Sequence, residues 1–119
     1  MKKLAIISSA ALFCLALGLT VSLSAQKTAT YKGEVMDSPC ALLGGHSAMA
    51  QKGESDKDCT LRCVKAGGKF ALFNPADKSW FTLDTQQKAE PFAGMMVTVT
   101  GTVDAATKTL HITTIKAAK

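Results

Sequence analysis

Arginine is nearly missing from this chain: Arg62 is the single arginine among fourteen basic residues, and the rest are lysine. The formal charge of +5 includes Lys2 and Lys3 at the extreme N-terminus, so the remaining excess is modest and scattered. Scattered lysine lacks the clustered, bidentate grip that phosphates favour, which argues against a nucleic-acid partner. Aromatics are scarce as well, at 6% with one Trp and one Tyr. Phe70, Phe73, Trp80 and Phe81 are candidate material for a base- or sugar-stacking platform, but a domain this small needs them as core. No serine sits in a nucleophile-elbow context and no glycine loop is built to cradle phosphate. Asp77, Asp84 and Glu90 are spread through turns, so no carboxylate dyad for hydrolysis is expected. Repeats at solenoid periods and low-complexity tracts are also lacking. Together these absences point to a non-enzymatic protein.

Residues 1–25 read as a signal peptide. Lys2 and Lys3 form a basic start, Leu4 to Val21 is apolar, and small residues follow at Ser22, Ser24 and Ala25. The expected destination is the periplasm or the cell exterior, with no stable membrane association after cleavage. An uncleaved anchor is the alternative, although Ser8, Ser9 and Gly18 weaken the apolar run. Cys14 lies inside that run behind the bulky Phe13, which disfavours lipid modification and makes it part of the discarded stretch.

Residues 26–30 are a short polar lead-in, and 31–119 are one small domain. A domain this small buries only about two-thirds of the surface its unfolded chain exposes, so a crosslink or a metal would matter to it. Tyr31 to Met36 alternates apolar and polar residues as a half-buried strand does. Asp37-Ser38-Pro39 stops the strand and starts a helical turn, with Asp37 or Ser38 as N-cap, that runs to Leu43 and ends at Gly44-Gly45. Ser55, with Asp58 three residues on, opens a second helix from Asp56 to about Ala66, closed by Gly67-Gly68. Lys69 to Phe73 and Ser79 to Leu83 are short strands joined by an Asn-Pro turn. Asp84 to Ala93 suits a helical turn or a loop, and Met95 to Val103 and Thr109 to Ile115 are two more alternating strands. The expected fold is therefore mainly β: a small five-stranded OB-like barrel with a helical insert, residues 38–68, between strands 1 and 2. His111 lies between Leu110 and Ile112 and points to solvent if they are core.

The segments Tyr31-Lys-Gly-Glu-Val-Met-Asp37, Phe70-Ala-Leu-Phe73, Val97-Thr-Val-Thr-Gly-Thr-Val103 and His111-Ile112 resemble small exported bacterial proteins of the OB-fold type. With its Cys/His insert the chain looks most like an uncharacterised family of small secreted bacterial domains. The resemblance covers nearly all of residues 31–119 and implies fold and export, with no activity to carry over.

What the chain does have is Cys40, His46, Cys59 and Cys63 between positions 40 and 63. Three cysteines outlast the signal peptide, and an odd number cannot all be consumed in intramolecular disulfides. On a helix, Cys59 and Cys63 stand one above the other with Cβ atoms about 5–6 Å apart. A relaxed disulfide wants about 3.8 Å between Cβ atoms. Two sulfurs on one tetrahedral zinc also sit about 3.8 Å apart, a distance the side chains can reach by converging. Leu61 and Val64 form a separate apolar side for packing on the barrel, which turns the cysteines towards the segment carrying Cys40 and His46. The expected site is a Cys3His set, Cys40, His46, Cys59 and Cys63, holding zinc, with copper as the alternative. Met49, one helical turn beyond His46, is a further soft donor or a core plug. Two other readings stay open. Cys40 can pair with Cys59 or Cys63 in a disulfide that staples a structural module, one suited to an envelope protein partner. Less favoured is thiol-redox exchange by Cys59 and Cys63 with Cys40 as the resolving thiol.

Overall fold

The structure is a computed structural model that describes residues 26–119. The signal peptide expected over 1–25, with Cys14, lies outside the described residues. Five strands form one sheet: β1 (Ala29–Asp37), β2 (Phe70–Phe73), β3 (Trp80–Leu83), β4 (Met96–Asp104) and β5 (Thr109–Ala117). Between β1 and β2 lie α1 (Ser38–Leu42), a single 3-10 turn (His46–Ala48) and α2 (Asp56–Lys65). A short α3 (Gln86–Ala89) with a 3-10 turn (Glu90–Phe92) joins β3 to β4. No helix of the described residues is long and apolar enough to cross a membrane.

The sheet closes on itself in the order β1-β2-β3-β5-β4. β1 makes closure possible by changing partners at Glu34. Its first part pairs antiparallel with β4, from Ala29 opposite Gly101 to Glu34 opposite Met96. Its last part pairs with β2, from Glu34 opposite Phe73 to Asp37 opposite Phe70. The seam is the short parallel pairing of β3 with β5, Thr82 opposite Thr109 and Leu83 opposite Leu110. Asp84 reinforces it: Oδ1 accepts the Ile112 N–H at 2.9 Å and Oδ2 meets His111 Nδ1 at 3.1 Å. His111 is half-exposed, as its position between two core residues requires. At the bulge between Thr100 and Gly101 the ladder shifts register, and a Cβ on Gly101 would run into the His111 carbonyl. Only glycine fits there.

Alternation along β1 divides its side chains between two cores. Tyr31 and Val35 face the barrel interior with Leu72, Leu83, Val97, Val99, Leu110 and Ile112. Met36, from the opposite face, joins Cys40, Ala41, Cys59, Cys63, Ala71 and Phe73 outside the barrel wall, with Trp80 packed beside them. α2 lies between the two. Leu61 and Val64 pack on the barrel core, while Cys59 and Cys63 turn to the outer one. Ser55 caps α2 by accepting the Asp58 N–H at 3.1 Å. Asp56 and Asp58 in its first turn and Arg62 and Lys65 in its last suit the helix dipole. Gln86 covers the end of β2, trading hydrogen bonds with the Phe70 N–H and C=O at 2.6 and 3.1 Å.

Candidate metal centre

The site is assembled by the way β1 runs into α1. Asp37, the last residue of the strand, keeps an extended backbone and accepts the Cys40 N–H through Oδ1 at 2.8 Å. Of the two expected caps the structure uses Asp37, with Ser38 as the first helical residue and Pro39 the second. This cap starts α1 so that Cys40 is fully buried beneath α2, with its Sγ 3.8 Å from Cys59 Sγ. After α1 the chain reverses at Gly44 and Gly45, with φ of 85° and 145°, values that favour glycine. Gly45 N–H returns to the Cys40 carbonyl at 2.9 Å, and His46 follows directly.

Asp37, Cys40, His46 and Cys59 each offer a ligand atom, and these four atoms all lie within 4.8 Å of one another. The His46 side chain is 9% exposed, and Nε2 meets Glu34 Oε1 at 2.7 Å. A carboxylate only accepts, so Nε2 carries a proton, and in the neutral form of the ring the lone pair is then on Nδ1. That Nδ1 is buried and has no hydrogen-bond partner, and the same holds for Asp37 Oδ2. Orphaned buried acceptors cost about 1–3 kcal/mol each, so a protein that keeps two of them in one place calls for a partner. Metal-bound histidines characteristically give their other ring N–H to a carboxylate, as His46 gives it to Glu34.

Arg62 holds the intervening loop against α2. Its Nε and a terminal nitrogen reach the two Glu54 carboxylate oxygens at 2.7 and 2.9 Å, and it donates to the Met49 carbonyl at 2.9 Å. The same guanidinium lies 3.9 Å from Cys59 Sγ, where its charge favours a thiolate. Hydrogen bonding to Arg62, helped by the Gln51 N–H, holds the Glu54 carboxyl at about 2. Burial raises the thiols of Cys40 and Cys59 above the ordinary range, and the Asp37 carboxylate adds to it at Cys40. Without a cation, then, both sulfurs stay protonated; a bound ion displaces those protons by supplying the missing positive charge.

The chain matches no protein-family model, no curated protein and no solved structure.

Of the four residues expected from sequence, three are brought together: Cys40, His46 and Cys59. Cys63 is buried in the same outer core, but it is not among the four whose ligand atoms meet within 4.8 Å. It lies four residues further along α2, about 6 Å of rise, where its carbonyl accepts the Gly68 N–H at 3.0 Å. The sulfurs seen in contact are those of Cys40 and Cys59, which come from different helices. Sequence reasoning missed Asp37 and Glu34. Asp37 read as a cap, which it is, but a cap uses one carboxylate oxygen and leaves the second free. Glu34 stands on the outward face of β1, beside whatever the insert lays over that face. A second group, Glu34, His46 and Asp56, also lies within 4.8 Å and forms the solvent side of the site.

Proposed function

We propose that this protein is an exported, non-enzymatic binding module that holds a thiophilic metal ion. Cys40 and Cys59 act as thiolates and His46 as a neutral imidazole bound through Nδ1. Asp37 and Cys63 are the two donors for the remaining position. The sheet is read as an OB-type barrel, with residues 38–68 as the insert that carries the site. Two thiolates, one imidazole and a carboxylate or third thiolate make a donor set suited to zinc; the sulfurs also suit copper(I). The observation that carries this reading is the gathering of four potential ligands around two orphaned buried acceptors, with Glu34 already in the orienting position. The Cys40–Cys59 sulfur separation of 3.8 Å also matches the edge of a tetrahedral zinc–thiolate site, about 3.8 Å for bonds near 2.3 Å.

A second reading rests on that same separation. Small rotations would close it to a disulfide bond of about 2.05 Å, stapling the insert as a structural module for an envelope partner. Elemental analysis and native mass spectrometry of the protein from the exported fraction, prepared without chelators and under reducing conditions, separate the two. Stoichiometric zinc or copper, lost in Cys40→Ser, is expected. Substoichiometric metal, with a native mass two hydrogens short and one alkylatable thiol, overturns metal binding in favour of the staple. Comparing Asp37→Asn with Cys63→Ser then assigns the remaining donor, since the true ligand is the one whose loss lowers metal content.

A further inference from the structure

The Cys40 and Cys59 sulfurs face each other at 3.8 Å between α1 and α2. Two kinds of link fit that gap. A tetrahedral ion spans it as it stands, with metal–sulfur bonds near 2.3 Å. A disulfide needs the sulfurs about 2.05 Å apart, so small side-chain rotations must close roughly 1.8 Å. The two links compete, because each uses both sulfurs and only a thiolate is a metal ligand. Cys63 is the poorer partner for Cys59: four residues on along α2, its Cβ stands about 5–6 Å away, against about 3.8 Å in a relaxed disulfide. Once Cys40 and Cys59 are joined, Asp37 and His46 alone remain of the four ligand atoms within 4.8 Å. Cys63 stays in the outer core but outside that group. Met49, the other soft donor or core plug expected from sequence, is 37% exposed and absent from the buried outer core. Either link ties α1 to α2, so the outer core is crosslinked in both states.

We propose that Cys40 and Cys59 make this site a peroxide-triggered release device, which holds its ion while reduced and gives it up when the two sulfurs join. This inference rests on the metal-binding reading above and adds its regulation, so that ion and disulfide are successive states of one site. Both sulfurs are fully buried, which bars a protein thiol or disulfide from reaching them. Hydrogen peroxide is close to water in size and passes wherever an ion passes, beside His46, Glu34 and Asp56 on the solvent side. Arg62 Nη2 points its charge at Cys59 Sγ from 3.9 Å, so Cys59 is the sulfur that holds thiolate charge best. Its thiolate attacks one peroxide oxygen and the O–O bond breaks. Cys59 becomes a sulfenic acid, and the departing hydroxide takes a proton from solvent. The Cys40 thiolate then attacks the Cys59 sulfur, the S–S bond forms, and a second hydroxide leaves and is protonated. Two thiolates, one hydrogen peroxide and two protons thus give one disulfide and two waters. The ion departs with its charge unchanged.

The test needs no variant. Protein from the exported fraction is reduced, loaded with zinc, which has no redox chemistry of its own, and freed of reductant. Hydrogen peroxide is then added in steps. A chromogenic indicator reads released zinc, intact mass counts the hydrogens lost, and peptide mapping after alkylation locates the new bond. One zinc should leave for every two hydrogens lost, at the same rate. The bond should join Cys40 to Cys59, with Cys63 carrying the alkyl group. Loss of an outer partner of a metal ligand already weakens binding about 10–100-fold. Loss of two ligands should therefore lower the zinc affinity of the oxidised protein at least about a hundredfold. An oxidised protein that keeps its zinc, a bond between Cys59 and Cys63, or oxygen added to the sulfurs without a bond overturns the release device. In each of those cases, zinc uptake by the reduced chain still upholds the metal site. A reduced chain that takes up no zinc overturns both.

Discussion

The barrel interior and the outer core are built from the same strands but from different chemistry. Inside the barrel, Val35, Leu72, Leu83, Val97, Val99, Leu110 and Ile112 pack with no sulfur and no polar side chain among them. Outside, four of the seven buried residues are Met36, Cys40, Cys59 and Cys63, and Asp37 and His46 sit beside them with unpartnered acceptors. A core that needs only stability uses aliphatic side chains, because these carry no group that must be satisfied. The outer core leaves such groups unsatisfied. The contrast fits the proposed function, with the first region carrying the fold and the second the residues that could hold an ion.

The largest expected effect tests the interior. Leu110→Ala, at a fully buried site, should lower unfolding free energy by about 2–5 kcal/mol. In urea titrations that loss should be the same with and without added zinc or copper(I); a metal-dependent loss would mean that the two cores are not separate. Next in size is the metal-linked stability of the outer core. With free ion at a thousandfold excess over Kd, the native protein should gain about 4 kcal/mol, and Cys59→Ser should lose most of that gain. A Cys59→Ser protein that gains as much as the parent breaks the assignment. Glu34→Gln comes third, since it keeps the size of the side chain but removes the charge that orients the His46 ring. Metal affinity should fall about 10–100-fold while apo stability changes little.

The smallest effect concerns the loop clamp. Arg62 holds the Glu54 carboxyl at about 2 against an ordinary 4.5, so its ionisation favours the fold above pH 4.5 and that contribution is lost as pH falls from 4.5 towards 2. Arg62→Gln should flatten this acid limb, as followed by the chemical shift of the Glu54 side chain.

Much of this architecture was legible in the sequence. Strand alternation at Tyr31–Met36, the Ser55 cap, and the division of α2 between Leu61/Val64 and Cys59/Cys63 all follow from local periodicity, and the structure reproduces them. Asp84–Ala93 resolved into α3 and a 3-10 turn because Gln86 finds a tertiary partner in Phe70, which no local pattern announces. The site was half legible. Soft ligands announce themselves by type, so Cys40, His46 and Cys59 stood out. Which sulfurs meet depends on how α1 crosses α2, and that crossing is set by the Asp37 cap and the reversal at Gly44-Gly45. Glu34 was hidden because its role exists only once the insert folds back over β1.

The change of partner at Glu34 also bears on engineering. Residues 38–68 look like a cassette that could be cut out and set into another scaffold. Yet the residue that orients the imidazole and the residue that caps Cys40 both belong to the strand before the cut. A graft that leaves Glu34 and Asp37 behind would move the sulfurs without the groups that aim them, so the transplantable unit begins where β1 changes partner.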